Sequence, residues 1–94
     1  MSKYEIMTLT KGSLGEENAK KVSKESTDII SSLGGKVLES DFWGKRKLAY
    51  KIGQEKDGFY EVLVFEFQKD QIKDLKTKLN LVENLVRYLI SAVN

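Results

Sequence analysis

The stretch FYEVLVFEF, residues 59 to 67, constrains the fold more than any other. Nearly every position is a strand former, and no glycine or proline interrupts it. Glu61 and Glu66 are an odd number of residues apart. In a regular strand they therefore point to opposite faces. Either a bulge intervenes, or both faces of this strand meet something.

The rest of the chain supplies what such a strand can pair with and pack against. Residues 3–10, KYEIMTLT, read as a first strand, with Tyr4, Ile6 and Thr8 alternating against Glu5, Met7 and Leu9. In KGSLGEEN, Ser13 followed by Glu16 fits a capping box. From there Ala19, Val22, Ser26, Ile29, Ile30 and Leu33 recur at helical spacing. Gly34 and Gly35 stop that helix, one of them as a left-handed cap. Residues 36–52 read as a long strand, with Gly44 marking a bulge or kink. GQEKDG, 53–58, reads as a turn before the 59–67 strand. Residues 69–80 form a second helix with Ile72, Leu75 and Leu79 on one side. LVRYLISAV, 85–93, closes the chain as an almost wholly apolar strand.

The order is β-α-β-β-α-β, in one domain over 1–94 without repeat or linker. Two right-handed β-α-β units around a central hairpin give an α+β, ferredoxin-like arrangement. It expects a four-stranded antiparallel sheet with both helices on one face and the other face open. If Tyr88 and Ile90 face the helices, Arg87 and Leu89 face outward. An outward leucine flags a contact surface.

Composition narrows function by exclusion. There is no cysteine and no histidine. The usual zinc ligands, the Cys and Ser triads and the commonest general base are therefore missing. No apolar run approaches the roughly 20 residues that span a bilayer, and MSKYEIMT lacks the apolar stretch of a signal peptide. The expectations are a cytoplasmic protein without metal, cofactor, membrane or small-molecule substrate. The small phosphatases of this architecture need an arginine-bearing glycine loop after the first strand. KGSLG offers Gly12 and Gly15 but only Lys11, so catalysis is not expected.

Positive charge is concentrated. The chain carries +2 overall, from 16 basic and 14 acidic residues. Residues 45 to 51 alone hold +4, leaving −2 for the rest. A nearly neutral body with one basic stripe points to phosphate contact, the alternative being an exposed strand face salted with lysine for solubility and edge protection. Strand parity puts Lys45, Lys47, Ala49 and Lys51 on one side. Leu48, Tyr50 and Ile52 share the other side with Arg46, which is out of place there unless Gly44 bulges the strand or Arg46 lies beyond the helices' edge. DGFYEVLVF superficially resembles the base-stacking strand of an RNA-recognition motif. Asp57 stands where a basic residue belongs, however, and Glu61 interrupts the aromatic platform. These aromatics read mostly as core or turn packing.

Gly44-Lys45-Arg46-Lys47-Leu48-Ala49-Tyr50-Lys51-Ile52 resembles the signature of the bacterial small-subunit ribosomal protein six family. Tyr4-Glu5, Gly58 with Phe59-Tyr60, and Asn84 with Arg87 fit as well, so the resemblance covers essentially the whole chain. It departs from the family at Lys51, where a proline can stand, and in ending at Asn94 without an extended tail.

The resemblance implies a structural protein of the ribosome. Its partners would be the central domain of the small-subunit ribosomal RNA and small ribosomal protein eighteen. On that basis Lys3, Lys45, Arg46, Lys47, Lys51 and Arg87 are expected to meet phosphates. Tyr4, Tyr50 and Leu89 are expected on a surface for RNA or the partner protein. An alternative of another class is a homodimeric ferredoxin-like small-ligand sensor, or a protein-interaction module, pairing through its sheets. Like charges of the basic stripe facing each other across a twofold axis argue against it.

Overall fold

In the computed structural model, residues 1–52 and 55–93 are described, with side chains outside 48–56. The elements run β1 (Ser2–Lys11), α1 (Glu16–Ser32), β2 (Lys36–Ile52), β3 (Glu55–Phe67), α2 (Ile72–Leu79) and β4 (Leu85–Ala92). The strands form one sheet in the order β2-β3-β1-β4, with every neighbouring pair antiparallel. The ferredoxin-like expectation holds.

β3 answers the question its two acids raise. Its register with β1 runs unbroken from Gly58 to Phe67, so no bulge intervenes between Glu61 and Glu66. Phe59, Glu61, Leu63, Phe65 and Phe67 are all buried on the helix side. Opposite them on β1 lie Thr10, Thr8, Ile6 and Tyr4. Ile30 of α1 and Leu75 and Leu79 of α2 complete one apolar cluster with Ile6, Leu63, Phe65 and Phe67. Glu66, Val64, Val62 and Tyr60 face the open side.

The end of α1 is built as expected. Gly34 has φ +88°, its N–H donates to the Ser31 carbonyl at 3.0 Å, and the Gly35 N–H donates to the Ile30 carbonyl at 2.9 Å. These two bonds satisfy carbonyls that the helix end would leave unpaired. Gly35 also lets Phe67 and Ile30 close over the chain, since a Cβ there would lie 2.5 Å from the Phe67 ring.

Three boundaries differ from the sequence reading. Ser13 does not cap α1: it lies in a 3₁₀ turn over Gly12–Leu14, and Gly15, at φ +87°, is the N-cap without a side-chain bond. Ser13 thus sits too early to reach the first turn. Residues 55–58 are strand rather than turn, because pairing with β2 carries β3 beyond its strongly apolar part. Cross-strand bonds there override the low strand propensity of Lys56, Asp57 and Gly58. The second helix opens with a 3₁₀ turn over Lys69–Gln71 before α2 proper.

Candidate nucleic-acid interface

The basic stretch lies on the β2–β3 hairpin, and Gly44 decides which way its charges point. Gly44 has φ +81°, a region that disfavours side chains with a Cβ. The β2–β3 register shifts between Phe42 and Gly44. This bulge resets the alternation, so Lys45 stands opposite Phe59, Arg46 opposite Gly58 and Lys47 opposite Asp57.

Lys45 consequently sits on the helix side of the sheet. Its ammonium lies 6.0 Å from the centre of the Phe59 ring and 3.8 Å from an Asp57 carboxylate oxygen. On the same side the Lys20 ammonium lies 5.6 Å from the centre of the Phe42 ring. Lys47 shares this side and is exposed. Arg46 takes the open face, exposed, with its guanidinium bonded at 3.3 Å to the Lys45 carbonyl. Its awkward parity is thereby resolved. The side chains of Tyr50 and Lys51, and the expected packing of Leu48 and Ile52, lie outside the described residues.

The remaining predicted residues divide. Arg87 and Leu89 face the open side opposite Leu9 and Met7, and Leu89 is 65% exposed. Tyr88 turns inward, donating its hydroxyl to the Asn80 side-chain oxygen at 2.8 Å. Lys3 is exposed on the open face opposite Glu66, but at the far end of the sheet from Arg87. Tyr4 corrects an expectation. It is not on a surface for RNA or a partner, being 8% exposed and stacked on Phe65 at 5.9 Å between centroids. As the cross-strand partner of Phe65, it is committed to the core.

Register also adds a residue that the sequence reading missed. Lys11 lies opposite Gly58, which lies opposite Arg46. Lys11, Arg46 and Arg87 therefore gather at one end of the open face. Nothing in the local sequence around Lys11 signals this, because only strand pairing brings it near Arg46. Toward the other end acids enter: Asp41 aligns with Val62 and Met7, and Glu5, Val64 and Glu39 align, while the last row, Lys3, Glu66 and Lys36, is mixed in sign. Between the two ends run Leu9, Tyr60, Met7, Val62 and Leu89, with Trp43 against Tyr60 at 6.4 Å. The face is thus basic at the hairpin end, and beyond an apolar middle it carries Asp41, Glu5 and Glu39 before the mixed row at its far end.

The KGSLG segment supplies the end of β1, the 3₁₀ turn and the N-cap of α1. Glu61, a buried acid, is held by the Ser23 and Ser40 hydroxyls away from this surface. Burial pushes its carboxyl above the usual range, while the two hydroxyls pull it back. Among the described residues no cluster of acids could hold a metal ion, and no helix is long and apolar enough to cross a membrane.

Comparison with known proteins is consistent across sequence and structure. The family model described as ribosomal protein S6 matches residues 3–92. A small ribosomal subunit protein bS6 from Dictyoglomus turgidum is 41% identical over 91 residues, 97% of this chain and 94% of the relative. One from Fusobacterium nucleatum is 33% identical over 90 residues, 96% of each chain. The crystal structure of 30S ribosomal protein S6 from Thermotoga maritima superposes with a TM-score of 0.91 at 22% identity, covering 98% of this chain and 87% of that one. The C-terminal domain of the MgtC protein from Mycobacterium tuberculosis shares the fold at a TM-score of 0.63 and 9% identity, covering 99% of this chain and 88% of that domain. Fold alone therefore does not choose the function.

Proposed function

The chain belongs to the ribosomal protein S6 family, and from that premise we propose that it binds the central domain of the small-subunit ribosomal RNA together with small ribosomal protein eighteen. It is a structural protein of the small ribosomal subunit, not an enzyme. The observation that carries the finer reading is the polarity of the open face. Lys11, Arg46 and Arg87 collect at the hairpin end, with Lys45 and Lys47 on the reverse of the same hairpin. This end is directed at phosphates, where cations release counterions on contact. The rows bearing Glu5, Glu39 and Asp41 suit a basic protein partner. A chain that binds RNA jointly with a basic companion needs less charge of its own, in keeping with its net charge of +2. Phosphate contacts position the protein, so specificity comes from RNA shape and the partner.

The test is a titration against a central-domain RNA fragment at several salt concentrations, with and without the partner. Affinity should fall with salt, with a log–log slope of roughly 0.7–0.9 for each phosphate met. Replacing Lys45, Arg46 and Lys47 by alanine should flatten that slope. Affinity indifferent to salt, or unchanged in the triple variant, would overturn the reading.

A further inference from the structure

The two edges of the sheet are not equally protected. The β2 edge carries Lys36, Glu39, Asp41, Lys45, Arg46 and Lys47, and its register with β3 shifts three times. Charges and bulges of this kind keep an edge from pairing with another chain. The β4 edge has neither device over most of its length. Arg87 is its one charged residue, and its one register shift lies at its start, opposite Leu9 and Thr10.

The direction of the β4 backbone follows from its ladder. The Val93 N–H donates to the Lys3 carbonyl at 2.9 Å. Bonded and non-bonded pairs alternate along an antiparallel ladder. Ser91 and Leu89 are therefore bonded to Glu5 and Met7. Ala92, Ile90 and Tyr88, opposite Tyr4, Ile6 and Thr8, turn their N–H and C=O groups away from β1. Three successive outward sets of donors and acceptors line this edge, centred on Ile90. Leu89 and Val93, 65% and 37% exposed, lie beside them.

We infer that the β4 edge is a self-association site, pairing antiparallel with the β4 edge of a second copy about a twofold axis at Ile90. In that register Ile90 meets its own counterpart, and Tyr88 meets Ala92 of the second copy, so all three outward sets are bonded. Leu89 lies beside Ser91 of the second copy and diagonal to its Leu89 and Val93, within reach of side-chain contact. Arg87 lies opposite Val93 of the second copy. The two Arg87 residues are thus six residues apart along the ribbon, about 20 Å, beyond the ~8 Å over which salt lets charges act. Like charge, which opposes pairing through the basic stripe, does not oppose this arrangement. An edge-to-edge contact buries little surface, so the association is weak and concentration-dependent. It does not rest on the RNA reading.

Sedimentation equilibrium of the chain from micromolar to millimolar concentration tests this, with amide exchange followed by NMR. The expected mass rises toward that of a dimer, and the amides of Tyr88, Ile90 and Ala92 gain protection with concentration. Leu89→Lys brings two ammonium groups together across the diagonal at an exposed position. Ala92→Pro removes one outward donor without touching a β1 bond. Each should weaken association about tenfold or more. A chain that stays monomeric throughout overturns the inference. So does a dimer that either variant leaves unchanged, or protection gained on β2 instead of β4.

Discussion

The Ser23 hydroxyl on α1 lies 2.6 Å from both carboxylate oxygens of Glu61 on β3. Ser40 on β2 adds a third approach at 3.3 Å. One buried acid thus ties a helix to two strands. Burial raises its folded-state pKa above the ordinary value, more than the two hydroxyls lower it. The folded chain therefore holds this proton more tightly than the unfolded chain does. The group's stabilising contribution is full below the unfolded carboxylate range and is lost as pH rises through the folded value. Glu61→Gln removes that dependence while keeping an acceptor for Ser23. Urea unfolding of both proteins across pH should show the native chain gaining stability relative to the variant as pH falls from neutral. A difference that runs the other way would show that the hydroxyls outweigh burial.

Ser23→Ala tests the same tie from the helix side. It leaves a buried carboxylate with one fewer donor. The expected cost is about 1–3 kcal/mol at neutral pH, read from the denaturation midpoint. The cost should shrink on acidification, because a protonated carboxyl needs the donor less.

Gly44 predicts a purely backbone effect. A Cβ built there meets nothing within 4 Å, yet φ is +81°. Gly44→Ala should cost about 1–2 kcal/mol, Gly44→Asn less and Gly44→Val more, a ranking that thermal unfolding can read. Steric crowding would instead rank the three by size.

The legible and illegible parts of this chain separate along a physical line. β3 and α1 were readable because their periodicities are local, as the buried runs Phe59 to Phe67 and Ala19 to Ile30 confirm. Arg87 and Leu89 were readable as outward-facing for the same reason. Tyr4 was placed on a surface by the family resemblance, and its position opposite Phe65 commits it to the core. Lys11 was invisible because its place beside Arg46 depends on two strand registers at once. The directions of Lys45 and Arg46 hung on one glycine's φ, which a sequence suggests but does not state. Ser13 misled because a capping box is a spacing, and Gly15's left-handed backbone moved the helix start past it.

Among the described side chains, Asp57 is the acid paired with the basic hairpin end. It lies 3.8 Å from Lys45, and both side chains are well exposed. An exposed pair of this kind contributes at most about 1 kcal/mol. Asp57→Asn should therefore barely move stability. On the proposed function it frees Lys45 and adds one unit of positive charge at the RNA-facing end. The variant should bind the central-domain fragment severalfold more tightly at low salt, with the gain fading as salt rises. Equal affinity at low salt would place RNA contact elsewhere on the chain.

Asn84 gives the family resemblance a physical basis at one position. It is the non-glycine residue with positive φ among those described, at +70°, and its carbonyl accepts the Lys11 N–H at 2.9 Å. It therefore turns the chain into β4 and fixes where that strand meets β1. Asparagine tolerates this conformation better than other side chains. Asn84→Gly should stay within about 0.5 kcal/mol of the parent. Asn84→Val should cost about 1–3 kcal/mol, because a β-branched side chain opposes this φ. The loss should appear first as faster amide exchange at Lys11, whose N–H depends on the turn. If Asn84→Gly and Asn84→Val lose equal stability, the side chain matters through a contact and not through the backbone.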